Sequence, residues 1–441
     1  MSYFVAALAA LIAGETLMVA GYGFPAATLS SPETLILVHV IAIGWMSLLL
    51  CGALFQFLPV LVAHPLYSNT LPLPTLFFLL GGLVLLLLGF LQLAGDIAAS
   101  PPLLPFSGLL LSTGFTLVLW NLGRTLWAAR PVSLPARFVI VGLTCLGLTV
   151  AFGVVFTIVF GGMTSYEPFL LIAGAARPLH AIAGIGGWLT FTAVGVSYRL
   201  LAMFMLAPEL EGHRPHAVLY LGAASLALII LAGLYVVLFG GPLLSLLAVC
   251  AIPGIAALAL YGADIFHLYR VRKRRNIELN SRMAAFALMS LSGSVVLTIG
   301  LIVLGRLADN IGAVVFLVAF GWLTGLSLAK LYKITAFMTW LECYGPVLGK
   351  TVTPRVQDLV IEARARKWFF LYFSAVWFSD LALLAQQTTV FRVGAAMMLV
   401  ATAGIIVQLA RSRFLKDVNE DIRLPEGTHR PKLFLSHSRA R

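Results

Sequence analysis

The sequence predicts an all-α polytopic membrane protein of twelve spanning helices, in three pseudo-symmetric four-helix units, and three observations predict it. Of 441 residues, 61% are hydrophobic and only 10% are charged, whereas soluble domains carry charge on about a quarter of theirs. Mean hydropathy is +1.00. Apolar runs recur along the chain between clusters of Pro, Gly and charge, and since one span needs about 20 apolar residues, there is room for about a dozen spans. A sizeable soluble domain is excluded.

Taken in order, the runs place spans at about 3–21, 33–62, 73–94, 103–128, 137–161, 169–206, 216–239, 243–268, 283–305, 311–341, 367–387 and 389–411. The first opens Met-Ser-Tyr without a basic segment and contains Glu15, so a cleaved signal is not expected. Residues 1–411 read as a single transmembrane domain and 412–441 as a basic cytoplasmic tail.

The net charge of +12 is read as topology, with no nucleic-acid partner. Basic residues gather after the fourth span (Arg130, Arg137), after the eighth (Arg270, Arg272, Lys273, Arg274, Arg275), after the tenth (Lys350, Arg355, Arg364, Arg366, Lys367) and in the tail (Arg411, Arg413, Lys416). The alternate loops 22–32, 95–102 and 240–242 hold almost none. This places both termini in the cytoplasm, with the protein in the inner membrane and even-numbered spans running inward. The basic run and the tail are expected to attract anionic headgroups at the cytoplasmic face of the bilayer. Cys51, Cys145, Cys250 and Cys343 form no CxxC pair, so no thiolate metal knuckle or disulfide framework is indicated.

A motif recurs three times. Span two reads GWMSLLLCGALFQFLP from Gly44, span six GWLTFTAVGVSYRLL from Gly187 and span ten GWLTGLSLAKLYKI from Gly321. Each carries a Trp (Trp45, Trp188, Trp322), then a small residue seven on (Gly52, Gly195, Ala329), an aromatic ten on (Phe55, Tyr198, Tyr332) and a polar residue eleven on (Gln56, Arg199, Lys333). Steps of seven and eleven return to nearly the same helix face, and small residues on such a stripe let helices approach closely. The Trp residues stand about 140 positions apart, so the units run over about 1–130, 131–275 and 276–411, each with four spans.

Twelve spans, inner termini and marked residues on the second, sixth and tenth helices resemble subunit I of the heme-copper oxidases. HVIAIGWMSLLLCGALFQFLPVL from His39 is similar to the second-span signature of the oxidase and nitric-oxide-reductase catalytic subunits. RPLHAIAGIGGW from Arg177 is similar to the NnrS-type nitric-oxide-response membrane proteins. The resemblance implies heme b or copper as cofactor, with His39 as axial heme ligand and His180 as copper ligand. It further implies Arg177 and Arg306 at the level of heme propionates, Trp45 and Trp188 beside the cofactor, and respiratory or cytochrome subunits as partners.

The chain departs from that pattern. Neither Ile311 to Phe320 nor Leu219 to Leu238 contains a His, whereas both hemes and the copper together require about six imidazoles. A complete oxygen reductase is therefore not expected. What remains is a degenerate member that keeps one heme or copper site, or no cofactor, and serves electron transfer, nitric-oxide response or a partner subunit. The alternative is a cofactor-free transporter, channel or assembly scaffold that uses the repeat interface. His39 lies six positions before its Trp and His180 eight, so the imidazoles sit on different helix faces unless a distortion, for which Gly184 to Gly187 could serve, intervenes.

Glu15 and Asp380 are mid-span carboxyls and hence functional candidates. Arg199, Lys330 and Lys333 lie toward the cytoplasmic ends and read first as interface anchors, the alternatives being the lining of an inward-facing vestibule or a meeting with Glu342. His213, His216 and Glu209 have a metal-like spacing but read as a solvated loop cluster. Asp264 and His267 read as the wet end of a helix. The sequence contains no Walker loop, no His-Glu-x-x-His and no Gly-x-Ser-x-Gly.

Overall fold

The computed structural model describes residues 1–98, 100–210 and 212–431. The end of the tail, with His437, lies outside the described residues. Among them the secondary structure is helical throughout, and twelve helices are long and apolar enough to cross a membrane: Ser2–Ala20, Pro32–Val62, Pro72–Ala94, Leu103–Ala128, Leu134–Phe160, Arg177–Met205, His213–Phe239, Leu243–Val271, Leu279–Val303, Leu307–Val347, Glu362–Leu384 and Thr388–Arg413. These are spans one to twelve below.

Local chemistry sets the ends. Ser31 caps span two by accepting from the Thr34 amide at 3.3 Å, with Pro32 in the first turn, where its missing N–H costs nothing. Gly21 (φ 78°) and Gly95 (φ 86°) close spans one and three in the left-handed conformation. Span six differs from the sequence expectation, because Glu167–Ala175 is a separate helix and the span itself begins at Arg177. Pro178 explains the break, since proline fits the first turn of a new helix and not the interior of a continuing one. His213 and His216 also differ. They form the exposed first turn of span seven instead of a loop, and the His216 Nδ1 takes up the Gly212 carbonyl at 2.8 Å.

The chain divides into two compact units, Ser30–Arg275 and Met1–Leu29 with Asn276–Arg441. The first holds spans two to eight, the second span one and spans nine to twelve.

All three motif-bearing helices change hydrogen-bonding pattern at the same place. Val40–Ser47 in span two, Ile182–Leu189 in span six and Leu317–Thr324 in span ten are π-helical over eight residues each, and each holds its Trp near the C-terminal end. Runs of i→i+5 bonds are rare and gather at functional sites.

The small-residue stripe is used for close packing. A methyl on Gly195 would stand 2.6 Å from Phe138 Cβ and 2.7 Å from Pro135 O, which seats span six on span five. In the other unit, a methyl on Gly325, one turn before the stripe residue Ala329, would stand 2.7 Å from Phe373 Cε1, where span ten meets span eleven. The first part of the tail is packed too. Leu415 and Val418 are buried with Tyr344 and Leu359, Arg413 binds Glu342 at 2.6 Å, and Asp417 takes Arg364 at 2.8 Å and Arg411 at 2.5 Å.

Replacement of Gly195 or Gly325 by Ala is expected to lower the thermal midpoint of the detergent-solubilised protein, with an overpacking cost of about 1–3 kcal/mol. Helix propensity alone favours Ala by about 1 kcal/mol. A raised midpoint would therefore show that the helices are free to separate.

Candidate functional site

His39 is the last α-helical residue before the π segment of span two, and His180 stands two residues before that of span six. The structure brings them together within one unit. Their ring centroids are 6.4 Å apart and the planes tilt by 32°. Both rings are half-buried. Phe90 of span three lies 5.2 Å from His39, and Phe156 of span five meets His180 edge-on at 5.4 Å.

Each imidazole is held through the same nitrogen. His39 Nδ1 lies 2.7 Å from the Leu35 carbonyl and His180 Nδ1 3.1 Å from the Thr149 carbonyl. A carbonyl only accepts, so each Nδ1 carries the hydrogen and the lone pair is left at Nε2. That pattern fixes the tautomer and orientation of metal-ligating histidines. The donor set is small: among the described residues no group of three or more His, Cys, Asp and Glu is placed to hold a metal. The four cysteines are buried and free.

The residues around this pair divide. Arg177 is exposed, one turn before His180 on the same helix. Arg306 is exposed and belongs to the other unit, where its carbonyl accepts from Asn310 Nδ2 at 3.0 Å at the start of span ten. Trp45 and Trp188 are 0% and 2% exposed. The Trp188 indole donates to Ser47 Oγ at 3.1 Å, joining span six to span two beside the two π segments.

That hydroxyl was not among the candidates drawn from the sequence, though a signal for it exists. Ser47, Thr190 and Thr324 each stand two residues after the motif Trp, so the repeat is Gly-Trp-x-Ser/Thr. These hydroxyls lie where the π segments disturb the backbone ladder. Thr190 Oγ1 donates to the Ile185 carbonyl at 2.6 Å. In the other unit, the Tyr372 hydroxyl donates to the Phe320 carbonyl at 3.0 Å.

Several of the other singled-out polar residues are engaged in structural pairs. Arg199 pairs with Glu209, so neither is available to His213 and His216. Lys333 pairs with Glu278 at 2.9 Å, and Glu342 with Arg413 at 2.6 Å. The Tyr198 hydroxyl donates to Asp264 at 3.0 Å, with Arg214 Nε 3.6 Å from the same carboxylate. Asp264, read as the wet end of a helix, is instead 1% exposed. In the unit of span one, Glu15 is fully buried and accepts from Thr402 Oγ1 at 2.8 Å, and Asp380 and Lys330 are buried as well.

Compared with known proteins, the chain matches no family model and no curated protein.

Loss of the indole hydrogen bond in Trp188→Phe, or of its acceptor in Ser47→Ala, is expected to destabilise the protein by about 0.5–1.5 kcal/mol. The double variant should lose little more than either single one, as a double-mutant cycle on unfolding midpoints reads directly. Additive losses would disconnect the two side chains.

Proposed function

We propose that this chain is a degenerate member of the heme-copper oxidase superfamily in which His39 and His180 hold one redox metal, copper or the iron of heme b. The observation that carries the reading is the paired imidazole geometry. Two metal–nitrogen bonds of about 2 Å put the centroids of two imidazoles on one ion roughly 6 Å apart, and these rings stand 6.4 Å apart with both Nδ1 atoms already taken by carbonyls. Imidazole suits copper and iron alike.

Within this reading, the carbonyls of Leu35 and Thr149 hold the rings in aim, and Phe90 and Phe156 keep water from them. Arg177 offers its guanidinium to a carboxylate such as a heme propionate. Trp188 and Ser47 tie together the two helices that carry the ligands. A bound metal would supply one-electron chemistry, in respiratory electron transfer or nitric-oxide response, alone or beside cytochrome subunits. The reading also takes the twelve helices as three four-helix units in the inner membrane, with both termini cytoplasmic. The recurrence of a π segment at the motif Trp in spans two, six and ten supports it.

A second reading draws on Glu15, Asp380 and Lys330, all buried in the unit of span one. Ionisable groups at such depth mark ion and solute pathways, and a cofactor-free transporter or scaffold would use them instead of the histidines.

Absorption spectroscopy and elemental analysis of the purified protein separate the two. The metal reading expects a Soret band, or copper near one per chain, lost in both His39→Ala and His180→Ala and kept in Glu15→Gln. A colourless, metal-free protein of normal abundance overturns it and leaves the pathway reading.

A further inference from the structure

Spans four and five are joined by a short loop, and between them runs a trough of about 350 Å³ that is lined by Leu119, Trp127, Ile140 and Thr144 and floored by Gly123 and Gly147. The two glycines create it. A methyl at Gly123 would meet nothing within 4 Å, and one at Gly147 only Leu119, at 3.7 Å. Trp127 and Ile140 are exposed along it, and the Thr144 hydroxyl in its wall is spent on the Ile140 carbonyl at 3.0 Å. The surface is thus apolar and shaped for a chain.

One end of the trough is cationic. Arg130 lies in it with its guanidinium 3.6 Å above the Trp127 ring. Arg137 is exposed and precedes Ile140 and Thr144 by three and seven residues on span five, which puts it on the same helix face, at the same end. From Leu103 to Phe160 the hairpin contains Arg124, Arg130 and Arg137 and no Asp or Glu. Arg124 is turned elsewhere, over Tyr67 and Trp120 at 5.2 and 5.6 Å. Two guanidiniums therefore face the interface at the end of an apolar trough, without a carboxylate in their own hairpin to answer them.

We propose that this trough binds one anionic phospholipid, with an acyl chain lying along Gly123 and Gly147 and the phosphodiester held by Arg130 and Arg137. The planar fork of arginine matches a phosphate with paired hydrogen bonds, and the indole of Trp127 sits where tryptophan favours the headgroup boundary. The apolar length selects a lipid over free phosphate, which would leave the trough without an occupant. The site is independent of His39 and His180 and uses none of the residues assigned to the metal.

Trp127 provides the readout. The full-length protein is reconstituted in vesicles containing phosphatidylglycerol or phosphatidylcholine brominated on the acyl chains, and the Trp127 signal is taken as wild type minus Trp127→Phe. Quenching by the brominated phosphatidylglycerol is expected at a lower lipid fraction than by brominated phosphatidylcholine, with each guanidinium contributing about fivefold, the value of one basic residue near an anionic surface. Arg130→Gln/Arg137→Gln should remove the preference while quenching by both lipids persists. Gly123→Leu, whose Cβ would meet nothing within 4 Å and whose side chain would occupy the trough, should weaken quenching by both at an unchanged thermal midpoint. Equal quenching by the two lipids in the wild type, or a preference that survives loss of both arginines, overturns the proposal.

Discussion

In hydrocarbon, every backbone N–H and C=O must find its partner inside the protein, and the three helices that carry the Gly-Trp motif meet that demand by an unusual route. Each abandons the α-helical ladder for eight residues. A wider turn displaces carbonyls from their usual partners, and nearby hydroxyls take them up: Thr190 on Ile185 within span six, and Tyr372 on Phe320 in the unit of span ten. The extra residue also rotates everything before it relative to everything after it. The histidines precede the distortion in spans two and six, and the packing stripe follows it. The placement of the histidines and the packing of the helices can thus be set separately along one helix.

This explains what the sequence disclosed and what it withheld. Apolar run length located the spans to within a few residues, because desolvation of a spanning helix depends on composition and length. It failed at span six, where Pro178 splits what hydropathy joins, and at His213 and His216, where a helix begins earlier than the apolar run. The π segment of span two gave no warning, since VIAIGWMS contains a single glycine and no proline. From spacing alone, His39 and His180 belonged on different faces; a distortion present in both helices leaves them side by side.

The ion pairs were less legible for a different reason. Lys333 and Glu342 stand nine residues apart on one helix, yet Lys333 is answered by Glu278 and Glu342 by Arg413. Those partners come from a preceding loop and from the end of span twelve, so the pairing is decided by tertiary packing. Asp264 likewise lies near a basic run in sequence but is held by Tyr198 of span six. The Trp188–Ser47 bond was readable in principle, because Gly-Trp-x-Ser/Thr recurs in all three motifs, but a hydroxyl two residues from a Trp acquires meaning only once the helix around it departs from α geometry.

The buried polar groups of the two units differ in what could satisfy them, and this decides the weight given to each. Glu15 accepts from Thr402 at one carboxyl oxygen, while the other, Oε2, is buried without a hydrogen-bond partner. The imidazoles of His39 and His180 are different. Their Nδ1 atoms are satisfied from the backbone, and the rings of Phe90 and Phe156 stand against them. One neutral imidazole in such surroundings would be an ordinary buried histidine. Here two such rings stand 6.4 Å apart, each held at Nδ1 by a backbone carbonyl, and it is this pairing, not either histidine alone, that the metal reading proposed above rests on.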